Sequence, residues 1–294
     1  MIVKKLDIHA HIVSERTQPC YSLGLTCEEL RGMYDLIGVE KGVALPLVSP
    51  EHMSDQVNVR AAQQAVQEHP ETIGWWFCNV DPRWMTNDPD ADLSIPMEYY
   101  KARGAKGIGE LTANMPVDDP RMQNLFYHAE KCGLPILFHI GWGNGGDYGI
   151  VDDLGLPKLE AALQKFPKLK FIGHSQKWWS EISGDNNEQI RGDRPTTPVV
   201  PGGRAVELLR NYPNMYGDLS AGSGGNAVMR DPAFGYRFLE EFQDKLFFGV
   251  DYCDITNYMP LSHFLDDAVE AGHISQKAYE KICRDNLLAL LESC

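Results

Sequence analysis

The 294-residue sequence lacks any apolar run close to the ~20 residues that a membrane-spanning helix needs. Basic residues are also scarce. Only 27 lysines and arginines stand against 41 aspartates and glutamates, which gives a net charge of −14. An acidic chain of this kind is poorly suited to bind nucleic acid or an anionic membrane surface. We therefore expect a small-molecule substrate as the partner, with no nucleic acid and no membrane.

Paired cysteine motifs are absent as well. The chain has seven cysteines, an odd number, and none of them forms a C-x-x-C pair. This usage is typical of reduced thiols and not of a disulfide framework. The early Asp7, His9 and His11 argue against a signal peptide. These features predict a cytoplasmic protein, and they leave the oligomeric state open, with a homodimer as one candidate.

The sequence does contain a regular alternation of short apolar runs and helix-type segments. Its hydrophobic fraction of 43% and charged fraction of 23% are typical of soluble globular enzymes. Glycine, proline and polar residues separate the segments, and no internal repeat stands out. The first run that predicts a strand ends near residue 8. The other seven lie at 42–47, 72–78, 104–111, 134–140, 169–175, 214–219 and 245–251.

Helix signals lie between these runs. Thr26 is placed to cap a helix that continues to Ile37, and Ser54 with Asp55 could cap a second helix. Further helices are predicted over 97–103, 120–132, 156–166, 205–211, 232–242, 262–271 and 275–291. Eight strand–helix units predict a single-domain α/β (β/α)8 TIM barrel over 1–294, with a long loop insertion at about 176–203. A doubly wound open sheet is the alternative fold.

Two histidines close the first strand. His9 and His11 are separated by one small residue, Ala10, and residues two apart in a strand face the same side. Two adjacent imidazoles can supply half of a metal site. Asp7 could orient one of the imidazoles, because carboxylates often hold ligating histidines in place.

Later strand ends carry further ligand-type side chains. They are Glu110 after strand four, His139 after strand five, His174 after strand six and Asp251 after strand eight. Each alone has a simpler reading as a buried histidine or a turn cap. In a barrel, however, all carboxyl ends of the strands meet at one face, so the group predicts a site there. Nitrogen and oxygen ligands suit Zn²⁺, Mn²⁺ or Fe²⁺ with a position left open for water.

These motifs resemble the amidohydrolase superfamily, and most closely its amidohydrolase-related (amidohydrolase 2) group of metal-dependent hydrolases and decarboxylases. The resemblance extends to RDNL at 284–287. One departure is Cys253-Asp254, where the group often has Pro-His. The motifs that carry it are DIHAH at 7–11, His139 after its strand, FIGH at 171–174, YGDLS at 216–220 and LFFGVDY at 246–252.

The resemblance implies a role for each ligand. His9, His11 and Asp251 would hold one metal ion, most often Zn²⁺. In relatives with one ion, His139 completes the site and His174 acts as acid/base or polarises the substrate. In relatives with two ions, an acidic residue such as Glu110 bridges them and both later histidines bind the second ion.

The implied chemistry leaves two reactions open. A divalent metal lowers the pKa of bound water to about 7, and Asp251 can accept the proton and return it to the leaving group. That predicts hydrolysis of a C–N or C–O bond in a cyclic ester, lactone or amide. The same site could decarboxylate or hydrate an unsaturated or aromatic acid. A non-catalytic binding protein on the same barrel is disfavoured, because every ligand position is filled.

Substrate contacts are less well marked in the sequence. Trp142 lies in a glycine-rich stretch, 141–146, that lacks the Lys-Ser/Thr of a phosphate loop. Trp142, Trp178 and Arg83 are the candidates for substrate binding. The simpler reading is that the tryptophans pack the loops and that the arginine is solvated.

Overall fold

The computed structural model describes residues 1–15, 24–52, 58–143 and 147–294. Within these ranges eight parallel strands alternate with helices, as the sequence predicts. The strands are β1 Lys5–Ala10, β2 Val39–Ala44, β3 Ile73–Trp76, β4 Ile108–Leu111, β5 Ile136–His139, β6 Phe171–His174, β7 Met215–Asp218 and β8 Leu246–Phe247.

Two sheets join into a closed barrel. One contains β1-β2-β3 and the other β4-β5-β6-β7-β8. Between β3 and β4, the Cys78 N–H donates to Gly107 O at 2.9 Å. Between β8 and β1, the Ile8 N–H donates to Phe248 O at 3.1 Å. Because both seams are hydrogen-bonded, the single-domain TIM barrel is confirmed and the open sheet is wrong.

Helices cover the outside of the barrel. Thr26 caps α1 in a capping box with Glu29, as predicted. Asn58 caps α2, whereas the predicted caps Ser54 and Asp55 lie outside the described residues. The helices are α1 Cys27–Ile37, α2 Val59–Glu68, α3 Ser94–Lys101, α4 Pro120–Cys132, α5 Pro157–Lys165, α6 Gln176–Ser180, α7 Arg204–Asn211, α8 Ala221–Met229, α9 Pro232–Glu241, α10 Leu261–Glu270, α11 Gln276–Glu280 and α12 Asn286–Glu292.

The structure differs from the prediction in three helical regions. Helix α3 begins at Ser94, and α8 lies where the sequence predicted no helix. The segment 176–203 begins with the short helix α6, and turns and bends follow it as far as α7. In the described ranges, no helix combines the length and apolarity required to cross a lipid bilayer.

The apolar core forms two layers. The larger layer lies between the strands and the surrounding helices. The smaller one fills the barrel with alternate strand residues such as Leu6, Phe77 and Ile172, and α12 adds Leu287 and Leu290. Helix α12 therefore closes the amino-terminal end of the barrel, and the opposite rim is left for the site.

Candidate metal centre

Donor atoms of His9, His11 and Asp251 converge at the carboxyl ends of the strands, and Glu110 lies beside the two histidines. His9 Nε2 and His11 Nε2 lie 3.0 Å apart. Asp251 Oδ1 is 3.6 Å from His9 Nε2 and 3.4 Å from His11 Nε2. Glu110 Oε2 is 3.7 Å and 3.3 Å from the same two atoms. Bonds of about 2.1 Å to one ion place tetrahedral donors about 3.4 Å apart, so the spacing suits a divalent cation.

The hydrogen bonds of the two imidazoles leave their inner nitrogens as acceptors. His11 Nδ1 lies 2.9 Å from Leu45 O, and a carbonyl can only accept, so Nδ1 carries the hydrogen. His9 Nδ1 lies 2.6 Å from Asp218 Oδ2, which fixes its hydrogen in the same way. Without a cation, protons on Nε2 keep these two atoms compatible with the nearby carboxylates; in neutral rings, the form that binds a metal, both Nε2 lone pairs would face each other beside two carboxylates. A cation at that point relieves the repulsion, so this donor set fits a metal ion.

A β-bulge separates Asp7 from the histidines. The pairing of β1 with β2 shifts register between Asp7 and Ala10. The Asp7 carboxylate accepts from the Tyr34 hydroxyl on α1 at 2.5 Å and from the His9 backbone N–H at 2.8 Å. The prediction that Asp7 orients an imidazole is therefore wrong: Asp218 orients the His9 ring, and Asp7 binds the backbone.

A second cluster shares Glu110. His139 Nδ1 lies 2.8 Å from Glu110 Oε1, and His174 Nε2 lies 3.8 Å from the same oxygen. His174 Nε2 is also 3.5 Å from Asp251 Oδ2. The two oxygens of Glu110 thus face two groups of nitrogen ligands. This geometry is compatible with one ion or with two.

The carboxylates are ionised despite their burial. Burial raises the pKa of Glu110, but hydrogen bonds from His11 and His139 outweigh it and hold that pKa well below its usual value. For Asp251, burial is opposed by the charge of His9 and a hydrogen bond from His174, and the pKa is lowered. Two negative side chains at the rim are what a divalent cation requires.

The sequence reasoning missed Asp218 and Ser220 as site residues. Asp218 Oδ2 lies 3.1 Å from His174 Nδ1 as well as beside His9, and it is fully buried. The Ser220 hydroxyl lies 3.0 Å from His174 Nδ1. The charge of His9 and hydrogen bonds from both rings lower the pKa of Asp218 against the effect of burial. The signal was present, because Asp218 is a carboxylate at the end of strand seven.

Tyr148 and Cys253 flank the cluster. The Tyr148 ring packs against His139 with centroids 4.6 Å apart. Cys253 Sγ lies 3.6 Å from Asp251 Oδ1. Burial raises the pKa of Tyr148, and the charges of Glu110 and Asp251 raise it further, so the phenol stays protonated. No sequence motif marks Tyr148, which follows the glycine-rich stretch 141–146.

The predicted substrate contacts have different environments. Trp142 is 55% exposed and lies over Lys177, whose Nζ is 5.2 Å from the ring centroid. Trp178 is fully buried against Gly173, so the prediction that it contacts substrate is wrong. Arg83 is already paired with Asp81 and Glu51, and a substrate carboxylate would have to compete with both.

A closed barrel with buried imidazoles and carboxylates gathered at the carboxyl ends of its strands defines a class of α/β-barrel proteins with a candidate metal centre at that rim. Within that class, the chain belongs to the Amidohydrolase family, whose sequence model matches residues 7–292. The predicted family is confirmed. Among curated proteins, no match to the sequence is found.

Solved structures share the fold at low sequence identity. A 2,6-dihydroxybenzoate decarboxylase from Rhizobium superposes with a TM-score of 0.61 at 15% identity, covering 99% of both chains. A candidate 2-pyrone-4,6-dicarboxylic acid hydrolase from Pseudomonas putida gives 0.57 at 14%, covering 100% of this chain and 99% of its own. A dihydroxybenzoic acid decarboxylase from a Polaromonas species, solved with manganese and 2-nitroresorcinol, gives 0.58 at 15%, covering 99% and 97%. Identities this low show the fold alone.

Proposed function

We propose that the protein is a metal-dependent hydrolase of a C–O or C–N bond in a small cyclic ester, lactone or amide. The observation that supports this proposal most directly is that Asp251 Oδ1 faces His9 and His11 while its Oδ2 lies 3.5 Å from His174 Nε2. A carboxylate so placed can bind a cation with one oxygen and exchange a proton through the other. A bound divalent ion would polarise the substrate carbonyl and acidify water.

The proton route runs through residues of this chain. Asp251 accepts the proton of the attacking water and returns it to the leaving group. His174, held through Nδ1 by Asp218 and Ser220, presents Nε2 to the substrate side and stabilises developing negative charge. The Tyr148 phenol and the exposed Trp142 are the proposed substrate contacts.

The proposed metal ligands are His9, His11, Glu110 and Asp251, with His139 and His174 available to a second ion. We propose Zn²⁺ because two imidazoles and carboxylates are common zinc ligands. Mn²⁺ is the first alternative, because carboxylates also suit Mn²⁺. Fe²⁺ is the second alternative.

A decarboxylase or hydratase of an unsaturated or aromatic acid is the second candidate. Two of the structural neighbours are named as dihydroxybenzoate decarboxylases. In that reaction Asp251 would first take up a proton from the adjacent His174 and would then deliver it to the carbon that loses CO₂.

One panel of assays separates the two. Protein loaded with Zn²⁺ or Mn²⁺ is tested for hydrolysis of simple lactones, esters and cyclic amides, and for CO₂ release from 2,6-dihydroxybenzoate. We expect hydrolysis that Asp251→Asn abolishes and that Asp153→Asn, at an exposed carboxylate, leaves intact. CO₂ release without hydrolysis would establish the second candidate instead.

The expected setting follows from the cysteines and the charge. The six cysteines in the described ranges are all free thiols, which supports the proposed cytoplasmic location. We keep a small molecule as the proposed partner and a homodimer as the proposed assembly.

A further inference from the structure

The Asp7 carboxylate joins the two chain segments that carry metal ligands. Its Oδ1 accepts the backbone N–H of His9 at 2.8 Å and that of Val250 at 2.9 Å. Val250 directly precedes Asp251, and the two N–H groups lie on β1 and on the turn after β8. One oxygen atom therefore fixes the backbone spacing between a histidine ligand and the carboxylate ligand.

The other oxygen of Asp7 is anchored from outside the barrel. The Tyr34 hydroxyl on α1 donates to Oδ2, and both side chains are fully buried. Gly42 makes room for this contact, because a Cβ there would lie 2.3 Å from the Tyr34 hydroxyl oxygen. Asp7 is thus held by three donors from three different elements.

Other hydrogen bonds also hold the backbone near Asp251: the Val250 carbonyl accepts from the Ala221 N–H at 3.2 Å, and the Phe248 carbonyl accepts from the Ile8 N–H at 3.1 Å. Asp251 has φ 52, in the left-handed region, and its N–H donates to His9 O at 2.9 Å. Together with the two hydrogen bonds to Asp7, this hydrogen bond fixes the position of the turn after β8 relative to the end of β1. Without Asp7 the turn would keep a single direct hydrogen bond to His9.

We infer that Asp7 is a positioning residue that tightens divalent-cation binding by fixing the spacing between His9 and Asp251, with Tyr34 holding Asp7 in place. The inference rests on the proposed metal centre. It differs from a purely structural role, in which loss of Asp7 would weaken the fold but leave the affinity of the folded protein for metal unchanged.

The test compares Zn²⁺ affinity in metal-stripped full-length variants, measured by competition with a chromophoric chelator, with unfolding by urea measured in parallel. Asp7→Ala should bind Zn²⁺ about 10–100-fold more weakly, the loss typical when a partner of a metal ligand is removed. Asp7→Asn should recover most of that loss, because the amide oxygen can still accept both backbone N–H groups. Tyr34→Phe should show a smaller loss and serves if Asp7→Ala does not fold.

Asn214→Ala is the matched control. Asn214 is also buried and its side chain donates to the backbone carbonyls of Leu163 and Phe166, but it lies at the amino-terminal end of β7. It should lower stability while leaving Zn²⁺ affinity at the wild-type value. The visible absorption of bound Co²⁺ should change in Asp7→Ala and not in Asn214→Ala.

Two results would overturn the inference in distinguishable ways. If wild type and the folded Asp7 and Tyr34 variants bind Zn²⁺ equally well, Asp7 does not position the ligands, and the proposed function survives. If wild type itself binds neither Zn²⁺ nor Mn²⁺, the proposed function fails and this inference fails with it.

Discussion

Individual side chains at the rim divide into ligands and the groups that orient them. His9 and His174 both turn Nδ1 toward Asp218, so one buried carboxylate sets the direction of two imidazoles. Orienting carboxylates fix the tautomer and raise the basicity of a ligating ring. The charge on Asp218 should therefore matter even though no ligand atom belongs to it.

Asp218→Asn tests this orientation. The amide keeps the size of the side chain but loses the charge that holds the Nδ1 hydrogens. We expect metal affinity to fall about 10–100-fold, as measured by chelator competition. Asp152→Asn, at a buried carboxylate that accepts backbone N–H groups at the start of α5, should leave affinity unchanged. Equal affinity in wild type and Asp218→Asn would show that Asp218 does not orient the ligands.

Residue types at strand ends were predictable, but their directions were not. The H-x-H spacing and the terminal carboxylates are visible in the sequence, and the structure brings His9, His11 and Asp251 together. The bulge in β1, which sends Asp7 to the backbone, depends on pairing with β2 and has no local signal. The prediction that Trp178 contacts substrate was wrong because glycine at position 173 leaves room for the indole to pack against it inside the fold.

At the level of elements, apolar runs and caps located the strands and most helices. Helix α8 was missed because its sequence, AGSGGNAVM, has three glycines and low helix propensity. Its glycines allow close packing instead: a Cβ on Gly224 would lie 2.3 Å from Leu219 C. Tertiary packing thus decides this helix, and propensity could not have predicted it.

The packing of α4 makes stability depend on pH. His128 is 8% exposed, burial lowers its pKa, and the Asp92 charge does not compensate. The unfolded chain takes up this proton at a pH near 6.5, above the folded pKa, so stability falls as the pH drops below about 6.5.

The His128→Phe variant tests the predicted loss of stability at acidic pH. We expect the urea midpoint of wild type to fall relative to that of His128→Phe as the solution is acidified from neutral pH. The reason is that only wild type has the His128 imidazole, which the unfolded chain protonates more readily than the folded protein does. His263→Phe, at an exposed position, should follow the wild-type pH profile. Parallel profiles for wild type and His128→Phe would contradict the expectation.

In the whole molecule, the apolar residues that stabilise the barrel and the candidate metal ligands lie at opposite ends of the barrel axis. Apolar side chains of α12 close one end, and the ligand cluster occupies the other. The barrel itself was predictable from eight alternating units. The residues that join its edges were not, since the hydrogen bonds that join β3 to β4 and β8 to β1 involve residues far apart in sequence.

Leu290→Ala tests that separation. Leu290 is 3% exposed, and truncating a buried leucine costs about 2–5 kcal/mol. We expect a lower urea midpoint with unchanged Zn²⁺ affinity in the folded protein. Leu36→Ala, at a side chain that is 79% exposed, should change stability by no more than about 0.5 kcal/mol. Loss of metal binding in Leu290→Ala would mean that the two ends are not independent.

The measurement that bears most directly on the metal centre is Zn²⁺ binding by metal-stripped wild type and His11→Ala. We expect wild type to bind Zn²⁺ tightly, and His11→Ala to lose tight binding and turnover while its circular dichroism remains that of a folded protein. Tight Zn²⁺ binding and undiminished turnover in His11→Ala would contradict the proposed centre.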